Sequence, residues 1–111
     1  MVLGLRDDYL PDLRSADELA GPGNRSISWR LNGRLMQNSN LSKMIFDTPT
    51  IVSCVSSMVP LLPGDVLSTG TPQGVGYTRH PPVFLQEGDI CEVEIEKIGI
   101  LRNAVLREIS V

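Results

Sequence analysis

The chain has 111 residues, enough for one domain or part of one. Ten Lys and Arg stand against 13 Asp and Glu, a net charge of −3, so there is no basic face for nucleic acid. Apolar residues make up 41% of the chain, yet no apolar run is long enough to span a bilayer.

Residues 1–25 form a weakly patterned N-terminal segment. Asp7, Asp8, Asp12, Asp17 and Glu18 are scattered without a histidine among them, which reads as a solvated surface and not a metal site. Ser15 is placed to cap one helical turn over 15–19. The first residues turn acidic too soon for a signal peptide, so the chain is expected in the cytoplasm. Cys54 and Cys91 are then expected as buried apolar residues. The single histidine, His80, lies in a proline-flanked loop and gives neither cysteine an evident partner.

The domain proper is expected over 26–111. Residues 26–31 alternate, with Ile27, Trp29 and Leu31 on one face and Ser26, Ser28 and Arg30 on the other. That period of two marks a half-buried strand. Asn32-Gly33 is a strong hairpin signal, because a type I′ turn needs positive φ at both central residues. The returning strand runs over 34–37, followed by a polar loop over 38–43. Asp47 or Thr48 caps a helix near 48–59 with Pro49 in its first turn, where a missing N–H costs little. Ile51, Val52, Val55, Met58 and Val59 give that helix one apolar face, and Pro60 with Pro63-Gly64 ends it.

Pro63-Gly64-Asp65 is a turn, and 66–69 is a short strand candidate. The chain then enters a loop with Gly70, Gly74 and Gly76, and Thr71 offers a hydroxyl at its mouth. Such a loop brings backbone N–H groups close to a ligand. It lacks the Lys-Ser/Thr ending of a P-loop and the spacing of a dinucleotide fingerprint, so by spacing it reads more readily as a strand connection than as a site. Residues 77–82 contain two adjacent prolines and are expected to be irregular. Glu87-Gly88-Asp89 turns the chain into a strand over 90–95, and a last strand runs over 100–109 with a bend at Arg102-Asn103. Glu92, Glu94 and Glu96 share one strand face; they suit a divalent cation or, more simply, the wet side of a sheet.

Taken in order, these segments resemble the fumarylacetoacetate hydrolase family. The family carries Pro-Gly-Asp, a short apolar strand and Thr-Gly-Thr-Pro-x-Gly-Val-Gly, matched here from Pro63 to Gly76. Pro81-Pro82-Val83-Phe84-Leu85, Glu87-Gly88-Asp89, the run from Glu92 to Gly99, and Leu101-Arg102-Asn103 match further family stretches. Upstream, Leu31-Asn32-Gly33, Gln37-Asn38-Ser39-Asn40 and Met44-Ile45-Phe46 do the same, with Asp17-Glu18-Leu19 a fainter echo. The similarity covers about 15–108.

The resemblance implies a mainly β fold of the α+β kind, a mixed sheet rolled or sandwiched, with one short helix. It implies cleavage, decarboxylation or isomerisation of small 2-oxo acids, β-diketones or acylpyruvates, in an enzyme that is usually dimeric. It also implies a Mg²⁺, Mn²⁺ or Ca²⁺ ion that stabilises an enolate. In the family the threonine at Thr71 contributes to substrate binding, and Gly70, Pro72, Gln73 and Gly74 close one side of the site. The family's Glu-x-Glu and aspartate metal ligands, and its water-activating residue, belong to a segment with no counterpart here. Its Gly-Lys-Ser-Phe-Asp segment aligns with Gly4 to Asp8, which puts Leu5 at the lysine position.

The expectation is therefore the C-terminal part of a metal-dependent enzyme, carrying the substrate-side loop without metal ligands; a truncated or mis-started reading frame is a separate possibility. The alternative is a non-catalytic β module for association or ligand binding. In either case an uncovered sheet edge favours a homo-oligomer.

Overall fold

The structure, a computed structural model, describes residues 24–108. The expectations for Ser15, for the acidic residues Asp7, Asp8, Asp12, Asp17 and Glu18 and for Leu5 lie outside the described residues. The architecture is one sheet with a helix and long loops on its flank. Four strands, β1 (Ser26–Leu31), β2 (Arg34–Asn40), β3 (Ile90–Ile95) and β4 (Gly99–Ala104), lie in the order β2-β1-β3-β4. The three pairings are antiparallel. The mainly β class with one short helix is as expected.

The β1–β2 hairpin forms because Asn32 and Gly33 accept positive φ, 51° and 80°. Asparagine is also a fastener here. Asn32 Nδ2 donates to Asp89 Oδ1 at 2.8 Å, and its Oδ1 accepts from the Ile90 N–H at 2.8 Å. The hairpin tip is thereby locked to the start of β3. The other Asp89 carboxylate oxygen accepts from the Gln86 N–H at 2.8 Å and closes the 86–89 turn.

These bonds favour the charged carboxylate. Asn32 first and the Gln86 N–H second hold the Asp89 carboxyl below the usual carboxylate value. A depressed folded-state value means stability that is present above the unfolded value and lost as pH falls through the folded one. The unfolding temperature is expected to drop below about pH 4. Asp89→Asn should flatten that limb of a melting-temperature profile, and an unchanged limb would contradict this role. Asp47 acts in the same direction through Thr50.

Two expectations about β2 and β4 change. β2 runs on to Asn40, through the start of the expected polar loop, and carries a bulge: Trp29 pairs with Gln37 and Arg30 with Leu35, leaving Met36 as the extra residue. β4 runs without interruption, with Arg102 opposite Glu92 and Asn103 opposite Cys91, and ends at Ala104. The irregularity predicted at Arg102-Asn103 is absent, and the bulge of this sheet lies at Met36 on β2.

Helix α1 (Thr48–Ser56) starts as predicted. Asp47 caps it by accepting from the Thr50 N–H at 2.9 Å, and Pro49 sits in the first turn. It stops before Pro60 and leaves Met58 and Val59 exposed beyond it. Cys54 is also exposed on this helix, contrary to the expected burial, because the helix does not seat that face on the sheet. Pro63 and Gly64 make a turn with Pro at the second and positive φ at the third position, closed by Asp65 N–H to Leu62 O at 3.1 Å. The strand predicted over 66–69 does not form. Val66 is 91% exposed, and the segment joins no ladder among the described residues. A β-rich composition without a partner strand leaves an extended loop. Within the expected irregular stretch, Gly76–Thr78 makes one 3-10 turn.

Leu31 and Met36 are the buried apolar side chains of the described residues. Ile45, Phe46, Leu62 and Phe84 are large apolar residues left exposed. No helix of the described residues is long and apolar enough to cross a membrane.

Candidate functional site

The glycine-rich loop folds back over one face of the sheet and encloses an open cleft of about 590 Å³. That is the size of a small-molecule site. Ile27, Trp29 and Val93 form its floor, Thr71 and Val75 one wall, and Val83 and Leu85 the other. The floor follows from strand alternation. Trp29 pairs with Gln37 on one side and Val93 on the other, and register partners share a face. The polar side chains that reach this apolar cleft include Gln37 and Thr71.

Two side chains hold the loop on β2. Gln37 Nε2 donates to Thr71 Oγ1 at 2.9 Å and to Pro72 O at 2.6 Å, with a longer approach to Gln73 O at 3.5 Å. Arg79 Nε donates to Gly74 O at 3.1 Å, and its Nη2 donates to Met36 O. The carbonyl that Arg79 uses belongs to the bulge residue, which has no register partner on β1. The bulge thus serves both clamps: it gives Arg79 a carbonyl to bind and turns Gln37 toward the cleft.

The loop needs glycine at two places for different reasons. At Gly74, φ is +102° and a Cβ would lie 2.6 Å from Met36 O. At Gly76 a Cβ would overlap the Val83 carbonyl. Gly76 O meanwhile accepts from Val83 N at 2.9 Å and Arg79 N at 3.2 Å, which closes the 76–83 strap.

Of the five residues singled out for substrate binding, Gly70, Thr71 and Pro72 line the cleft. The carbonyls of Gln73 and Gly74 turn to the clamps on β2. Gln37 and Arg79 were not among the sequence candidates. A usable signal for Gln37 was its place in the Gln37-Asn38-Ser39-Asn40 stretch; Arg79 had none, since its partners are backbone carbonyls.

The carboxylates of β3 have other occupations. Glu94 pairs with Arg30 at 2.8 Å, Glu92 with Arg102 at 3.4 Å, and Glu96 accepts from the Ser26 N–H at 3.2 Å. Among the described residues no group of three or more His, Cys, Asp or Glu lies together. The divalent metal implied by the sequence resemblance does not fit the described side chains. Burial, the largest influence, pushes the Cys91 thiol up, the opposite of what a nucleophile requires.

Residues 11–106 match the family profile described as fumarylacetoacetate (FAA) hydrolase C-terminal. The chain is 48% identical over 96 residues to the mitochondrial oxaloacetate tautomerase Fahd2a of Rattus norvegicus, covering 86% of this chain and 31% of the relative. Among solved structures, the fumarylacetoacetate hydrolase of the psychrophile Exiguobacterium antarcticum is 44% identical with a TM-score of 0.74, covering 78% of this chain and 31% of that one. A maleylpyruvate hydrolase from Sphingobium sp. SYK-6, in complex with manganese(II) and pyruvate, is 30% identical with a TM-score of 0.74, covering 85% of this chain and 33% of that one. The chain thus spans about a third of the length of the proteins it matches.

Proposed function

The chain belongs to the fumarylacetoacetate hydrolase family, and on that premise we propose that it supplies the substrate-side wall of a site for small 2-oxo acids. The observation that carries this reading is Thr71: its hydroxyl stands at the cleft, held in place from β2 by Gln37. A hydroxyl beside loop N–H groups suits a carboxylate or oxo group. In this reading Trp29 and Val93 bound the cleft from below and keep water from the carbon skeleton. Gly70 sits at φ +91°, and a Cβ there would meet nothing within 4 Å, so the loop's mouth is open.

Pyruvate is a suitable probe, since a relative of known structure holds it. Thr71→Val keeps the size of the side chain and removes the hydroxyl. It should weaken pyruvate binding by about tenfold or more in a calorimetric titration, the loss of one hydrogen bond to a charged group. Equal affinity would remove Thr71 from the site. The metal ligands would have to come from polypeptide beyond the described residues. Supplied with manganese(II) and oxaloacetate, the 111-residue chain alone should leave tautomerisation at the buffer rate.

A second reading rests on the lining of the cleft. Ile27, Trp29, Leu31, Val83, Leu85 and Val93 are all apolar, which suits packing of another polypeptide and a non-catalytic role in association. A chain that binds no pyruvate but sediments as a concentration-dependent oligomer favours this reading over the first.

A further inference from the structure

Gln37 is a polar side chain on the apolar face of the sheet, and the bulge puts it there. Continued without the extra residue, the register from Arg30–Leu35 would set Met36 opposite Trp29 and turn Gln37 to the other face. The bulge therefore exchanges an apolar side chain for an amide on the side of the cleft.

The orientation of that amide follows from its partners. Pro72 O, at 2.6 Å, and Gln73 O, at 3.5 Å, are carbonyl oxygens and only accept. The atom facing them is therefore the NH₂. One of its protons goes to Pro72 O, and the other goes to Thr71 Oγ1 at 2.9 Å. The Thr71 hydroxyl accepts from Gln37, so its own proton remains to be given to a different oxygen. A hydroxyl that accepts in this way also becomes a better donor.

We propose that Gln37 is the positioning residue of this site: by donating to Thr71 Oγ1 it commits the hydroxyl to donate, and so selects a ligand oxygen that accepts, a carboxylate or a keto or enolate oxygen. The inference rests on the reading of the loop as the substrate wall. Gln37 touches no ligand in this arrangement. It acts through Thr71 and through the loop backbone at Pro72.

The test is pyruvate titration of isotope-labelled full-length chain, with Gln37→Glu, Gln37→Met and Thr71→Val beside the wild type. Gln37→Glu has the same shape but offers no proton when ionised, so Thr71 turns its hydroxyl proton toward the introduced carboxylate. It should lose about tenfold or more in pyruvate affinity, and lose more than Gln37→Met does. In the wild type the Gln37 side-chain NH₂ resonances should shift as pyruvate saturates, and in Thr71→Val they should stay still. A side chain that only fills space gives neither result. Gln37→Glu binding pyruvate within about twofold of wild type, or NH₂ resonances unmoved at saturation, overturns the assignment. If Thr71→Val loses affinity while Gln37→Glu keeps it, the substrate wall stands and the role of Gln37 falls. If wild type and Thr71→Val respond alike to pyruvate, the wall itself falls, and this inference with it.

Discussion

Replacing Gly76 with alanine is expected to lower the melting temperature of the chain by more than about 10 °C, from about 3 kcal/mol of overpacking. The added methyl meets backbone, not a flexible side-chain end. Val83 C would lie 3.2 Å away, with the carbonyl oxygen closer still. Relief requires moving Val83, which breaks its hydrogen bond to Gly76 O and opens the strap that walls the cleft. Gly74→Ala should be comparably damaging, because it combines φ of +102° with a clash against Met36 O. Gly70→Ala is the internal control. It has positive φ but open space around it, so backbone strain alone should cost about 1–2 kcal/mol. Thermal melts of the three variants should rank Gly76 and Gly74 together, well below Gly70. A Gly76→Ala protein that melts with wild type would show that the strap does not pass where it is placed.

Arg79→Met should release the loop from the sheet. The methionine keeps an apolar stem but withdraws two donors, leaving Gly74 O and Met36 O without the guanidinium. The loss is expected at about 2 kcal/mol, since Arg79 is half-buried and water compensates part of it. Arg79→Lys should not rescue, because an ammonium has no fork with which to span two carbonyls. Amide hydrogen exchange of Thr78 and Val83, whose N–H groups donate to Val75 O and Gly76 O, reads this directly. Both variants should exchange faster there than wild type, while the β1–β3 ladder keeps its protection. Rescue by lysine would mean that the position needs only a positive charge.

The hairpin, the helix start and the Pro63-Gly64 turn were legible in the sequence, because each depends on residues adjacent in the chain. Asn32-Gly33 needs positive φ, Asp47 reaches a donor three residues on, and Gly64 follows Pro63 in one turn. The candidate site was legible in part. Thr71 and its glycines announce a close-approach loop, and the family resemblance implies a substrate beside it. What holds the loop could not be read. Gln37 and Thr71 are 34 residues apart, Met36 and Arg79 are 43 apart, and both contacts depend on a bulge that no residue type in Leu35-Met36-Gln37 advertises. The strand expected over 66–69 failed for the converse reason. Its residues favour β structure, but a strand exists only where a neighbour accepts its hydrogen bonds. Glu92, Glu94 and Glu96 show the same dependence on neighbours. Alternate spacing put them on one face, where Arg30 and Arg102 pair with Glu94 and Glu92 and the Ser26 N–H donates to Glu96.

The substrate-wall reading and the role of Gln37 depend on the loop from Gly70 to Gly76 being docked on the bulge of β2 as the wall of a ligand cleft, with Thr71 facing the ligand. A crystal of the full chain soaked in pyruvate tests this most directly. A pyruvate oxygen is expected at about 3 Å from Thr71 Oγ1, with the methyl end over Trp29 and both loop clamps unbroken. Pyruvate seated against Arg30 or Arg102 on the charged face of the sheet, with the cleft beside Thr71 left to water, would contradict it.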